Sequence, residues 1–75
     1  MHATKPEVEK IIAGIPIKIR TLRKAKGYSQ KYLAMQLNIS QNIFSKVERG
    51  DIEMSINRLI VISEVLDIEI MDLLS

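Results

Sequence analysis

The sequence predicts an all-α fold: five short helices over residues 15–75, preceded by an N-terminal extension at residues 1–14. Three observations carry this. Apolar residues recur at three- and four-residue spacing along most of the chain, and no stretch alternates convincingly with period two. Ser29, Ser40 and Ser55 each stand just before such a run, where a hydroxyl can accept from an orphan N–H of a first helical turn. Gly27, Asn38 and Gly50 stand just behind three of the runs, where a chain leaving a helix needs a residue that tolerates positive φ.

In chain order, Pro6, Gly14 and Pro16 punctuate the start, which reads as a frayed tail with a short helical turn over Glu7 to Ala13. Pro16 suits the first turn of the next helix, where its missing N–H costs nothing. Ile19, Leu22 and Ala25 form the inward stripe of that helix, and Gly27 ends it. The second helix is expected at Gln30–Leu37, with Leu33, Ala34 and Leu37 inward. The third is expected at Gln41–Arg49, with Ile43, Phe44 and Val47 inward and Gly50 behind it. Ser55 opens a fourth, Ile56–Leu66, and Glu69 to Leu74 forms a short fifth. Only Asn38-Ile39-Ser40 joins the second helix to the third. Asn38 tolerates the left-handed conformation such a corner demands, Ile39 tucks beneath it, and the pair has helix-turn-helix geometry.

Seventy-five residues make one small core and not two. With no Cys and three aromatic residues, that core is aliphatic, held by neither disulfide nor thiolate-bound metal. No apolar run approaches the ~18 residues of a membrane span, and nothing at the start reads as a signal peptide, so a cytoplasmic location is expected. The net charge of +2 hides an asymmetry. Residues 1–31 carry eight basic side chains against Glu7 and Glu9, whereas residues 51–75 carry six acids against Arg58. A polyanion would be attracted to the first part of the chain and repelled by the last. The only His is His2, in the expected tail, and no carboxylate pair sits on a concave apolar surface, so no enzyme and no cofactor are expected.

The text "IRTLRKAKGYSQKYLAMQLNISQNIFSKVERGD", followed by "INRLIVISEVLDIEIMDLL", resembles the DNA-binding domain of the phage-repressor superfamily, the group of lambda repressor, Cro and Xre-like regulators. Arg23, Gly27, Ser29-Gln30, Leu33-Ala34, Asn38, Ile39, Ser40, Ile43 and Glu48-Arg49-Gly50 meet the family pattern in register. The resemblance covers residues 19–74 and implies a compact five-helix, lambda-repressor-like domain over residues 15–75, with the second and third helices as its helix-turn-helix. Two positions depart from the pattern. Asn38 stands where Gly is usual, and Asp51-Ile52-Glu53-Met54 stands where family members carry Lys or Arg and a Pro that touch phosphate. The acidic loop points instead to a dimer contact, or to DNA bending away from it.

The resemblance implies that the third helix enters the major groove, with Gln41, Asn42, Ser45 and Lys46 facing base edges. Gln30 takes the family's phosphate-binding position, helped by Ser29, Lys31, Ser40 and Arg49. Arg23 and Glu48 match a structural ion pair between the first and third helices. The C-terminal helices carry more apolar surface than so small a core can absorb. On the fourth, Ile56, Leu59, Ile60 and Ser63 share one side and Val61 and Val65 the other, with Ile62 between. Val61, Ile62, Val65, Ile68, Ile70, Met71 and Leu74 are therefore expected at a homodimer interface. The competing arrangement folds the N-terminal Val8, Ile11, Ile12 and Ile15 back over this surface. The expected function is a sequence-specific regulator binding a palindromic operator in double-stranded DNA as a homodimer. It would be controlled by its own concentration, as small Cro-type repressors and restriction–modification controller proteins are. No membrane partner and no small-molecule ligand are expected. The alternative is a protein-interaction module, an antitoxin or partner-recruiting adaptor that uses the apolar C-terminal helices.

Overall fold

The first helix, α1, runs unbroken from Lys5 to Ala25 in the computed structural model, which describes residues 4–75. His2, expected in a tail, lies outside the described residues. The expected break between Ala13 and Pro16 is absent, because Pro16 sits inside the helix. The apolar spacing explains this. Ile12, Ile15, Ile19 and Leu22 keep helical period straight through Gly14 and Pro16, so an unbroken helix aligns all four on one side. Three of them, Ile15, Ile19 and Leu22, reach the core. Thr4 caps the start by accepting from the Glu7 N–H, and Pro6 lies in the first turn, where its missing donor is not needed. Ala25, expected inward, is exposed.

Four further helices follow: α2 (Gln30–Leu37), α3 (Gln41–Glu48), α4 (Ile56–Val65) and α5 (Ile70–Leu74). Among the described residues there is no strand. Ser29, Ser40 and Ser55 all cap as expected, their hydroxyls accepting from the backbone N–H of Tyr32, Ile43 and Arg58 at 3.0, 3.1 and 3.3 Å. Glu69 opens α5 in a reciprocal arrangement with Asp72.

The first four helices end in the same way. The residue after the last turn adopts positive φ, and its N–H and the next one reach back to carbonyls of that turn. Gly27 and Gly50 do this for α1 and α3, and Asn38, at φ 56° and ψ 44°, does it for α2. Asp67, at φ 56°, does it for α4 and was not anticipated.

The core gathers residues from every helix: Ile19 of α1; Leu33, Ala34 and Leu37 of α2; Phe44 and Val47 of α3; Leu59 and Ile62 of α4; Leu66; and Leu73 of α5. Phe44 is its one aromatic member. α2 packs on α3 and α4, while α1 packs on α3 and α5. Lys18 of α1 donates to carbonyl oxygens of Asp72 and Ser75 at the end of α5, where the helix dipole favours a cation. The first two turns of α1 leave Val8, Ile11 and Ile12 exposed, with Ile12 at the edge of a depression also lined by Ile56 and Leu59 of α4. That stretch does not cover the apolar surface of the C-terminal helices, where Ile56, Val61 and Met71 stay exposed. Only Ile15 of the four residues packs against the core.

Candidate nucleic-acid interface

The turn between α2 and α3 is set by local chemistry. The Asn38 N–H donates to the Met35 carbonyl at 3.1 Å, the Ile39 N–H to Ala34 at 3.0 Å, and Ile39 lies half-buried against the core. Ser40 then restarts the helix. Phe44, Val47 and Glu48 are the buried residues of α3. At about 100° per residue, the direction opposite their arc carries Asn42, Lys46 and Arg49. Ser45 and Gln41 flank this face on one side and Ile43 on the other. Gln41, Asn42 and Arg49 are exposed, and Ser45 and Lys46 are half-buried. Ile43, expected inward, is 39% exposed, because it sits about 90° from the centre of the buried arc. It borders a shallow depression with Ile39, Ile52 and Met54.

Beneath this face, one carboxylate joins three helices. Glu48 and Arg23 are each 7% exposed. Arg23 donates through Nε to Glu48 Oε2 at 2.6 Å, through one terminal nitrogen to Glu48 Oε1 at 3.1 Å, and through the other to the Tyr28 carbonyl at 2.7 Å. Gln30 Nε2 donates to the same Glu48 Oε1 at 2.9 Å. No buried side-chain nitrogen or oxygen among the described residues is left without a partner, as burial requires. The part played by Gln30 was not legible, since its 18-residue separation from Glu48 leaves no local signal.

The start of α2 places Ser29, Gln30 and Lys31 together at a helix N-terminus, with Ser29 and Lys31 exposed and Gln30 half-buried. Ser29 and Ser40 spend acceptor capacity on their caps and keep a hydroxyl hydrogen to donate. Tyr28 and Tyr32 stack beside Ser29 with ring centroids 4.8 Å apart. Arg49 donates through Nε to Asp51 Oδ2 at 3.1 Å, an exposed pair. The acidic loop therefore turns one of its charges onto the end of α3. Ile52 and Met54 pack against the core.

On α4 and α5 and the turn between them, the expected dimer residues divide. Ile62 is fully buried and belongs to the core, so it makes no contact with a partner. The buried arc of α4 is centred on Leu59 and Leu66, and Ile62 falls inside it. Val65, Ile68 and Ile70 are half-buried against that core and Leu74 is also half-buried. Val61, at 38%, and Met71, at 65%, are exposed. Ile56 and Ile60, placed beside Leu59 and Ser63 by spacing, are exposed as well. No His, Cys or carboxylate cluster suited to a metal occurs among the described residues, and no helix is long and apolar enough to cross a membrane.

A family model described as helix-turn-helix matches residues 19–73. Two uncharacterised HTH-type transcriptional regulators, of Rickettsia conorii and Rickettsia prowazekii, are each 37% identical over 60 residues, or 80% of this chain. The chain spans about half the length of these curated relatives, 48% and 46%. Among solved structures, the restriction-modification controller protein C.AhdI from Aeromonas hydrophila superposes with a TM-score of 0.76 at 31% identity, covering 87% of this chain and 97% of that one. The hypothetical transcription factor NHTF from Neisseria superposes with a TM-score of 0.80 at 25% identity, covering all of this chain and 86% of that one.

Proposed function

Because this chain belongs to the helix-turn-helix family of Xre- and lambda-repressor-like transcriptional regulators, we propose that residues 15–75 bind a palindromic operator as a homodimer, with residues 1–14 as an extension. α3 enters the major groove of cytoplasmic DNA. The observation that carries this reading is the outward face of α3, polar at Gln41, Asn42, Ser45 and Lys46 on a helix whose opposite face is locked into the core.

The groove edge of each base pair presents a donor and acceptor pattern that such side chains complement. The Gln41 and Asn42 amides suit adenine N6 and N7, and the Lys46 ammonium suits guanine O6 and N7. Ser45 is short enough for a close methyl or backbone contact. Gln30, Ser29, Lys31 and Ser40 supply phosphate contacts that set the register. Arg49 joins them by exchanging its Asp51 partner for phosphate. The basic residues of the first part of the chain would attract the polyanion and the acidic residues of the last part would repel it.

Val61 and Met71, flanked by Val65, Ile68, Ile70 and Leu74, form the two-fold contact. Such a contact sets two recognition helices about 34 Å apart, one turn of DNA. Titration of labelled DNA at several salt concentrations tests the reading. The expected result is binding that weakens steeply with salt and loses sequence preference in the Gln41→Ala/Lys46→Ala double variant. Tight capture of a protein partner without operator preference would favour an interaction module instead.

A further inference from the structure

The Glu48 carboxylate makes one contact that an ion pair does not require. Arg23 is already satisfied by both Glu48 oxygens and by the Tyr28 carbonyl. Yet Glu48 Oε1 also accepts from Gln30 Nε2, on the first residue of α2. We propose that Glu48 is a positioning residue for the DNA backbone contact, acting through Gln30. The proposal rests on the DNA-binding reading above.

The chemistry follows from the planarity of the amide. A carboxylate only accepts, so the nitrogen end of the Gln30 amide is the end that faces Glu48, and the carbonyl oxygen is turned away. With one N–H engaged, the second N–H on the same nitrogen is directed outward in a fixed plane. That hydrogen is the donor a phosphate oxygen needs, and it lies beside Ser29 and Lys31 at the N-terminus of α2. Gln30 without this contact would sample several rotamers, and ordering it would be charged against binding. Glu48 itself is buried behind Arg23 and Gln30. Its carboxylate thus joins the packing of α1 on α3 to the aim of a side chain on α2.

A mutant cycle on operator affinity separates this from a purely structural role. Gln30→Ala is measured in the unsubstituted chain and in an Arg23→Met/Glu48→Leu background, in which an apolar pair of similar volume replaces the ions. In the unsubstituted chain, Gln30→Ala should weaken binding about five-fold, equally on operator and non-operator DNA, with no change in salt slope because no charge is removed. In the apolar background the same substitution should change affinity less than about two-fold.

Glu48→Gln serves as a second background, because it keeps an acceptor for Arg23 while offering Gln30 an N–H in place of an acceptor. There too the effect of Gln30→Ala should vanish. An equal loss in all three backgrounds overturns the proposal while DNA binding stands. Absence of DNA binding by the unsubstituted chain overturns the functional reading and this proposal with it. A DNA-free readout accompanies the cycle: the Gln30 Nε2 proton that faces Glu48 should resonate downfield of a solvated amide and exchange slowly with water, and both features should be lost in Arg23→Met/Glu48→Leu. A shift and exchange rate typical of a solvated amide in the unsubstituted chain would contradict the clamp directly.

Discussion

Replacing Glu48 by alanine should destabilise the domain more than any substitution on the outward face of α3. The side chain is 2% exposed and accepts three hydrogen bonds, two from Arg23 and one from Gln30. Its removal leaves the Arg23 guanidinium buried with only the Tyr28 carbonyl as partner. Stranding one member of a buried ion pair costs about 3–5 kcal/mol. In a domain of this size each kcal/mol moves the melting temperature by roughly 4–8 °C, so the midpoint should fall by at least about 12 °C. Gln41→Ala, at an exposed position, should stay within about 0.5 kcal/mol of the unsubstituted chain. Thermal and urea unfolding followed by far-ultraviolet circular dichroism measures both. Equal melting temperatures for Glu48→Ala and Gln41→Ala would refute the structural role given to the pair. The Arg23→Met/Glu48→Leu variant should melt near the unsubstituted chain, since the stranded charge and not the missing attraction causes the loss.

Other substitutions probe other parts of the account. Asp67→Gly should stabilise by up to about 1 kcal/mol, because Asp67 holds φ 56° and glycine adopts that region without a Cβ penalty; a lowered urea midpoint would contradict this. Lys46→Ala alone should flatten the salt dependence of DNA binding by about one unit in the logarithmic slope if its ammonium displaces a counterion, and an unchanged slope would remove Lys46 from the interface. Val61→Glu/Met71→Glu should yield monomers in sedimentation analysis with little change in melting temperature, as both side chains are exposed on the folded chain. A dimer that survives both charges would move the two-fold contact elsewhere.

The parts of the fold governed by short-range chemistry were legible in the sequence. Ser29, Ser40 and Ser55 marked three helix starts, and Asn38 marked the turn, because each acts on backbone groups a few residues away. At Pro16 two local signals competed. The ring spoke for a break and the Ile12-Ile15-Ile19-Leu22 spacing for continuity, and burial of Ile15 and Ile19 decided for continuity. Asp67 gives no comparable signal in the sequence, because aspartate is a less usual choice than glycine at positive φ. Side-chain placement around a helix was less legible where apolar residues ran all round it. Ile62 and Val61 are equally apolar neighbours on α4, and only the position of α4 against Leu37, Leu66 and Leu73 separates core from surface. At the candidate interface the outward polar residues of α3 could be read from period, whereas Ile43, at the edge of the buried arc, could not. The Gln30–Glu48 bond and the Arg49–Asp51 pair depend on tertiary approach and on a turn whose direction the pattern did not encode.

The central claim is that this chain reads DNA sequence as a two-fold dimer through α3. Selection of bound duplexes from a random DNA library tests it most directly. The account predicts enrichment of a palindrome whose half-sites lie about 10 base pairs apart centre to centre, and loss of that enrichment in Gln41→Ala/Lys46→Ala. A library that emerges without any enriched motif, at salt low enough for the chain to hold DNA, would contradict it.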